Sequence, residues 1–304
     1  MNYVLIGSLG NVSKPLAEKL IAAGHTVTVV SSKAEKIESI AAMGATPSIG
    51  SVEDVVFLTK TFNGADAVYT MVPPYFGARD WKQYIALTGK NFADAIKSSG
   101  VKNVVNLSSI GAHMPEGCGP VSGLHFVEET LNDLEKVNVV HLRAGIFYLN
   151  YLSNIGMIKE MGIIGGNYGK DTKLVLVHPD DIADAAAEEL QNLTFKGKFI
   201  RYVASDEKTA AEVASTLGQA IGRPELSWVE FKDEETMAGM MQAGMPEEIA
   251  RNYTEMGTAM RSGEMSSDYK QNRPSDFGKT KLETFAPYFA AVYAQPQSAD
   301  VTNA

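Results

Sequence analysis

The sequence predicts an α/β protein: a doubly wound parallel sheet followed by a smaller, mostly helical C-terminal domain. Three observations carry this. Short apolar runs alternate with helical segments throughout the first half, at the spacing of strands joined by crossover helices. The first of these runs opens directly into a glycine-bearing turn and then a helix. The chain has 304 residues, 45% hydrophobic and 21% charged. That is enough apolar material for one large or two smaller domains, and it excludes a disordered chain or a disulfide scaffold.

The elements follow in order. Residues 3–6 form a short apolar strand, and residues 14–23 a helix ended by Gly24 at a left-handed cap position. Residues 26–30 are a second strand and 35–43 a second helix. A weak third strand at 45–49 precedes a helix at 52–62. Residues 67–72 form a fourth strand, stopped by Pro73 and Pro74. A helix at 81–98 leads to a fifth strand at 103–107, and a helix at 124–135 to a sixth at 139–143. Beyond residue 143 the alternation loosens. Residues 173–177 and 198–203 read as strands around a helix opened by Pro179-Asp180-Asp181 and running to about 190. From residue 209 the chain is mostly helical, with one extended interruption at 225–231. The expected division is a sheet domain of residues 1–145 plus about 173–207, a smaller domain of about 146–172 plus 208–290, and a tail at 291–304. Ligands of open α/β sheets bind beyond the strand carboxyl ends, so the cleft between the domains is the expected site.

Charge narrows the partners. Lys and Arg number 27 against 36 Asp and Glu, a net charge of −9. Such a chain repels phosphate polyanions, which argues against nucleic acid and anionic membranes. No apolar run approaches the roughly 20 residues that span a bilayer. The N-terminus enters a strand directly and lacks the basic segment of a signal peptide. The single cysteine, Cys118, cannot form an intrachain disulfide and points to a reducing, cytoplasmic compartment. It reads as an incidental thiol.

An anion can still be held locally. Gly7-Ser8-Leu9-Gly10-Asn11-Val12-Ser13 joins the first strand to the first helix. Glycine lets the backbone approach a pyrophosphate, and the N–H groups and dipole of the helix start stabilise the charge. The spacing is G-x-x-G-x-x-S, with the small Ser13 still permitting close helix–strand packing. The bland alternative is a tight turn without a ligand; its position between strand and helix favours dinucleotide binding. The second strand ends Val30-Ser31-Ser32-Lys33. It lacks the acid that bonds the ribose hydroxyls of NAD, and its hydroxyls and ammonium suit a 2′-phosphate. NADP(H) is therefore the preferred cofactor, with NAD(H) the alternative and a merely solvated Lys33 the bland reading.

Several ordered segments resemble the NmrA-like family, a branch of the atypical short-chain dehydrogenase/reductase superfamily. They are residues 3–12; Gly64-Ala65-Asp66-Ala67-Val68-Tyr69; residues 104–112, which include Ser108 and Ser109; and residues 142–150. Asp181-Ile182-Ala183 and Ala243-Gly244-Met245-Pro246-Glu247 follow. The resemblance spans about residues 1–290. It implies a Rossmann-type fold, a bound NADP(H) or NAD(H), and either quinone-type reduction or redox sensing. Standard members of the superfamily use Tyr-x-x-x-Lys to pass a proton. Here Val121 stands at the tyrosine position and His125 at the lysine position, so the phenol is absent. His125 is the catalytic candidate: an imidazole can donate a proton near neutrality or bond the nicotinamide ribose. Its bland reading is a helix-start histidine satisfied by backbone.

The resemblance places Ser108 and Ser109 at cofactor- and substrate-facing positions. Met71, Val72 and Pro73, at the end of the fourth strand, border the cofactor. Phe147, Tyr148 and Tyr151 are candidates for the substrate pocket, with core packing equally open. His113, His141 and His178 lack metal-ligand spacing, and Asp180 with Asp181 reads as a helix cap. A methionine-rich stretch (Met237, Met240, Met241, Met245, Met256, Met260, Met265) suits either helix packing or an adaptable pocket. Two functions follow: reduction of a quinone or similar small electrophile by NADPH, or a non-catalytic NAD(P) sensor that binds a protein partner. A homo-oligomer is compatible with either.

Overall fold

Alternating side chains of the first strand, β1 (Asn2–Ile6), divide the molecule, as the pleat of a strand buried on both faces requires. Tyr3 and Leu5 enter one core layer, Val4 and Ile6 the other. The computed structural model describes residues 1–296. After β1 come α1 (Ser13–Ala22), β2 (Thr26–Ser31), α2 (Ile37–Ala42), β3 (Thr46–Ile49), α3 (Val55–Phe62), β4 (Ala67–Thr70) and α4 (Trp81–Ser99). Then follow β5 (Asn103–Ser109), α5 (Pro120–Asn132), β6 (Asn138–Ala144), β7 (Ile146–Phe147), α6 (Ile155–Met161), β8 (Ile164–Gly166) and β9 (Lys173–Val177). The remainder is α7 (Pro179–Asn192), β10 (Lys198–Val203), β11 (Asp206–Thr209), α8 (Ala210–Ala220), β12 (Trp228–Glu230), α9 (Asp233–Gln242), α10 (Glu247–Ser262), α11 (Ser267–Gln271) and α12 (Leu282–Tyr293).

Seven strands form the main sheet in the order β10-β6-β5-β4-β1-β2-β3, all parallel. The doubly wound class is therefore the fold observed. One face packs against α1 and α7, the other against α3, α4 and α5. The strand order reverses between β1 and β4, which makes the crevice beyond their carboxyl ends the topological switch point. A second lobe has its own core, built from Tyr148, Tyr151, Leu174, Leu176, Leu217, Trp228, Leu282 and Phe289 among others.

The structure moves several expected boundaries. Asp54 caps α3 by accepting from the Phe57 amide at 3.0 Å, so that helix starts at Val55 and not at 52. β4 ends at Thr70, two residues early. Gly119, at φ 55°, turns the chain into Pro120 at the first helical position, so α5 begins four residues before expectation and ends at Asn132. β9 is not part of the main sheet. It pairs with β7 and with β11, because Leu174 and Leu176 fill the second-lobe core. Residues 291–293 of the expected tail continue α12, and residues 297–304 lie outside the described residues. No helix among the described residues is long and apolar enough to cross a membrane.

Candidate dinucleotide and substrate cleft

The turn after β1 is built for close approach. Gly7 sits at φ 113°, and a Cβ there would lie 2.3 Å from Ser13 Oγ and 3.1 Å from Met71 Sδ. Ser13 Oγ donates to the Ile6 carbonyl at 2.9 Å, which ties the start of α1 to β1. The Ser8 amide donates to the Val30 carbonyl at 2.9 Å and the Gly10 amide to Gly7 at 3.1 Å. Among the described residues nothing accepts from the amides of Leu9, Asn11 and Val12. Gly10 and Asn11 are exposed, so a ligand can reach this set of unpaired donors at a helix start. A dinucleotide pyrophosphate fits that cradle.

At the tip of β2, Ser8 Oγ donates to Ser31 Oγ at 3.0 Å, and Ser31 Oγ accepts from the Lys33 amide at 3.1 Å. Ser31 is the buried hydroxyl of the two at this tip; Ser32 and Lys33 are exposed. The Lys33 ammonium has no ion-pair partner among the described residues. Met71, against Gly7, brings the end of β4 to the same crevice, and Val72 and Pro73 continue that wall half-buried.

Other candidates fall differently. Ser108 Oγ donates to Glu128 Oε1 at 2.5 Å, and Glu128 pairs with Arg143 at 2.6 Å; all three are buried. The hydroxyl expected to face the cofactor is thus used inside the fold. Ser109 is half-buried and donates to the Ile110 carbonyl. Tyr148 is fully buried, stacks on Phe285 and donates to the Thr280 carbonyl at 3.0 Å. Tyr151 is 4% exposed in the same core. These two hold the second lobe together and do not line an open pocket. Phe147 packs half-buried against the core under α1 and α7.

His125 lies on the second turn of α5, not at its start. Its Nδ1 donates to the Ala112 carbonyl at 2.9 Å, and Nε2 stands 3.4 Å from Glu129 Oε1. Asp181 is no helix cap: His178 Nδ1 accepts from the Asp180 amide. The Asp181 carboxylate instead accepts from Ser205 Oγ and from the Lys279 and Thr280 amides. Burial pushes the Cys118 thiol up to about 12. Among the described residues no three His, Cys, Asp or Glu side chains form a group that could hold a metal.

α10, which carries Met256 and Met260 of the methionine-rich stretch, packs across the starts of α4 and α5. Glu248 Oε1 accepts from the Trp81 amide at 3.1 Å, and Lys82 pairs with Glu255 at 2.6 Å. On the other side Gly119 presses on the Asn252 carbonyl, where a Cβ would lie 2.0 Å away. α10 therefore spans the loops that follow β4 and β5. A groove of about 750 Å³ lies elsewhere, between β10, α7 and residues 272–279, and includes no residue of the glycine turn.

Residues 7–142 match the model of the NAD(P)H-binding family. An NADPH-dependent quinone oxidoreductase (QOR2) of Escherichia coli is similar in structure, with a TM-score of 0.78, 20% identity, and coverage of 94% of this chain and 98% of that one. QOR2 has also been solved in complex with NADPH. The triphenylmethane reductase of Citrobacter sp., complexed with NADP(H), gives a TM-score of 0.78 at 21% identity over 95% of this chain and 100% of that one. A nucleoside-diphosphate-sugar epimerase of Staphylococcus aureus gives 0.77 at 16% identity, covering 94% and 100%. At these identities the likeness establishes the fold. No curated relative matches the chain.

Proposed function

We propose that this NAD(P)H-binding chain is an oxidoreductase that uses NADPH to reduce a quinone or a similar small electrophile. The observation that carries the reading is the turn at the switch point, where the unpaired amides of Leu9, Asn11 and Val12 lie beside β2, whose end carries an unpaired Lys33 and no acid. Those amides would hold the pyrophosphate, and Ser8, Ser31, Ser32 and Lys33 the 2′-phosphate. Bound NADPH supplies hydride, and the protein's part is to place the acceptor beside it and keep water out. Met71, Val72 and Pro73 wall the crevice, and α10 packs across the starts of α4 and α5 beside it. His125 is fixed by the Ala112 carbonyl in the tautomer whose Nδ1 carries the proton. With Nε2 protonated as well, 3.4 Å from the Glu129 carboxylate, the imidazolium would hand that proton to the reduced oxygen and return to this neutral form. The similarity to two reductases solved with NADPH or NADP(H) supports the choice of cofactor.

The test is a titration of NADPH, NADP, NADH and NAD onto the purified protein, followed by oxidation of bound NADPH with a panel of quinones. NADPH binding with turnover above background is expected; tight binding without turnover would overturn the enzymatic reading. One feature favours the second reading, a redox sensor with a protein partner. Val121, at the position of the usual phenol, is a buried apolar side chain. That reading expects strong discrimination between NADPH and NADP without turnover.

A further inference from the structure

The two edges of the seven-stranded sheet are unlike. β3 carries Pro47, which has no N–H to offer a further strand. β10 has no proline, and it leaves Phe199 49% and Ile200 40% exposed. The odd-numbered residues of this strand face β6. The Gly197 carbonyl accepts from the Val139 amide at 2.8 Å, and the Val203 carbonyl from the Gly145 amide at 3.0 Å. Even-numbered residues therefore turn their amides and carbonyls outward. Among the described residues nothing pairs with the main chain of Ile200 or Tyr202.

One rung is already laid on this edge. The Gly278 amide donates to the outward carbonyl of Ala204 at 2.7 Å. Between that rung and α11, where Tyr202 Oη donates to Asp268, residues 272–277 make no main-chain bond to β10. The groove of about 750 Å³ opens in this gap, with Asp184, Ala185 and Glu188 of α7 on its third side. Arg201 reaches Glu188 and Glu189 of α7, so Phe199 shares the α7 face of the strand and Ile200 takes the opposite one.

Charge sets the sign of an occupant. Arg201 is held by those glutamates and Arg273 by Glu207 at 2.7 Å, so both arginines of the groove are engaged. Asp276 stands exposed with no ion-pair partner among the described residues, on a chain of net charge −9.

We propose that the β10 edge binds an extended, basic peptide segment of a partner protein, which adds a strand beside Ile200 and Tyr202. Main-chain bonds to those two residues hold the segment. Its β-branched or aromatic side chains pack beside Phe199 on one face and Ile200 on the other. Its Lys or Arg residues meet Asp276 and the acidic field around it. The groove includes no residue of the glycine turn, so this binding is separate from the reaction in the crevice.

The test uses the full chain and two capped, dye-labelled hexapeptides, as long as β10 itself. One is Lys-Val-Thr-Val-Lys-Val, the other the same with Glu for Lys, and fluorescence polarisation reads binding. The lysine peptide should bind at least about tenfold more tightly than the glutamate peptide. Ile200→Pro removes an outward N–H and spares the ladder with β6, and should weaken that binding by about tenfold. Asp276→Lys should weaken it severalfold. Both variants should keep the wild-type circular dichroism and NADPH affinity. With the lysine peptide saturating, amide exchange should slow at Ile200 and Tyr202 and stay unchanged at Phe199. No binding of either peptide at millimolar concentration, or binding with unchanged exchange at Ile200 and Tyr202, would overturn the proposal. So would a dimer in sedimentation that Ile200→Pro dissociates, because a second copy would then occupy the edge.

Discussion

Ser108 Oγ donates to Glu128 Oε1 at 2.5 Å, on the same oxygen that receives Arg143 Nε at 3.0 Å. The pair sits inside the fold, with Glu128 and Arg143 both about 5% exposed or less. Ser108→Ala leaves that buried carboxylate one donor short, so the variant should lose about 1–3 kcal/mol of stability in urea. Its affinity for NADPH should stay within twofold. A tenfold weaker NADPH affinity at unchanged stability would return the hydroxyl to the cofactor site.

Lys33→Asp should shift the ratio of NADPH to NADH affinity by about tenfold or more toward NADH. A charge-assisted hydrogen bond to phosphate is worth about 1.5–3 kcal/mol, and the substituted carboxylate repels that phosphate while accepting from ribose hydroxyls. Calorimetric titration of both nucleotides reads the ratio. An unchanged ratio removes Lys33 from the site.

Gly10 and Gly7 should separate binding from folding. Gly10 is exposed and lies outside the positive-φ region, and a Cβ there would stand 3.0 Å from the Gly7 carbonyl oxygen, so Gly10→Val sets a side chain in the path of a pyrophosphate at some cost to the turn. All four nucleotides should bind at least about tenfold more weakly, with stability lowered by about 1 kcal/mol. Gly7→Ala should instead unfold more easily, because its Cβ would meet Ser13 Oγ at 2.3 Å on a strained backbone.

His125→Ala should lower kcat with quinones by about a hundredfold if Nε2 supplies the proton, while NADPH affinity holds. Chemical rescue decides the role: added imidazole should restore part of the lost kcat in His125→Ala. No rescue would leave His125 as a brace for the Ala112 carbonyl.

His141 should make the fold acid-sensitive. Its Nδ1 accepts from Asn106 Nδ2 at 3.1 Å and its Nε2–H donates to Asn132 Oδ1 at 3.0 Å, an arrangement only the neutral ring satisfies. Burial, the larger cause, holds its pKa down at about 4. The unfolded chain binds this proton more readily, near the ordinary 6.5. The stabilisation is therefore complete above pH 6.5, declines as the pH falls from there toward 4, and is lost below it. Urea unfolding should lose about 2–3 kcal/mol from this group between pH 7 and 4.5. His141→Gln should show a flatter dependence.

The parts of the molecule legible in the sequence are those set by local pattern. Strand and helix alternation, the glycine turn and the acid-free end of β2 depend on neighbours within a few residues. Partner choice does not. β9 has the apolar run of a sheet strand, yet which sheet it joins depends on β7 and β11, and no local pattern encodes that. The start of α5 lies at Pro120 because proline suits the first helical position and Gly119 supplies the turn before it, a signal that the apolar pattern of the helix does not carry. Tyr148 and Tyr151 have the composition of a pocket and the orientation of a core. Orientation also sets the buried Ser108 apart from the half-buried Ser109, and the buried Ser31 from the exposed Ser32. The helix that packs across the starts of α4 and α5 is α10, more than a hundred residues later in the chain.

The second-lobe core closes with Leu282, Phe285 and Phe289 of α12 packed on Tyr148, Tyr151 and α8. During synthesis the seven-stranded sheet has all its strands once Val203 has left the ribosome, whereas this core waits for Phe289. The intervening nascent chain therefore carries a finished nucleotide cradle beside an open apolar surface. Contacts between residues this far apart in sequence are slow to form, and exposed apolar surface invites aggregation in the meantime. Chaperone demand and sensitivity to C-terminal truncation should both trace to α12 and the surface it covers, and not to the seven-stranded sheet.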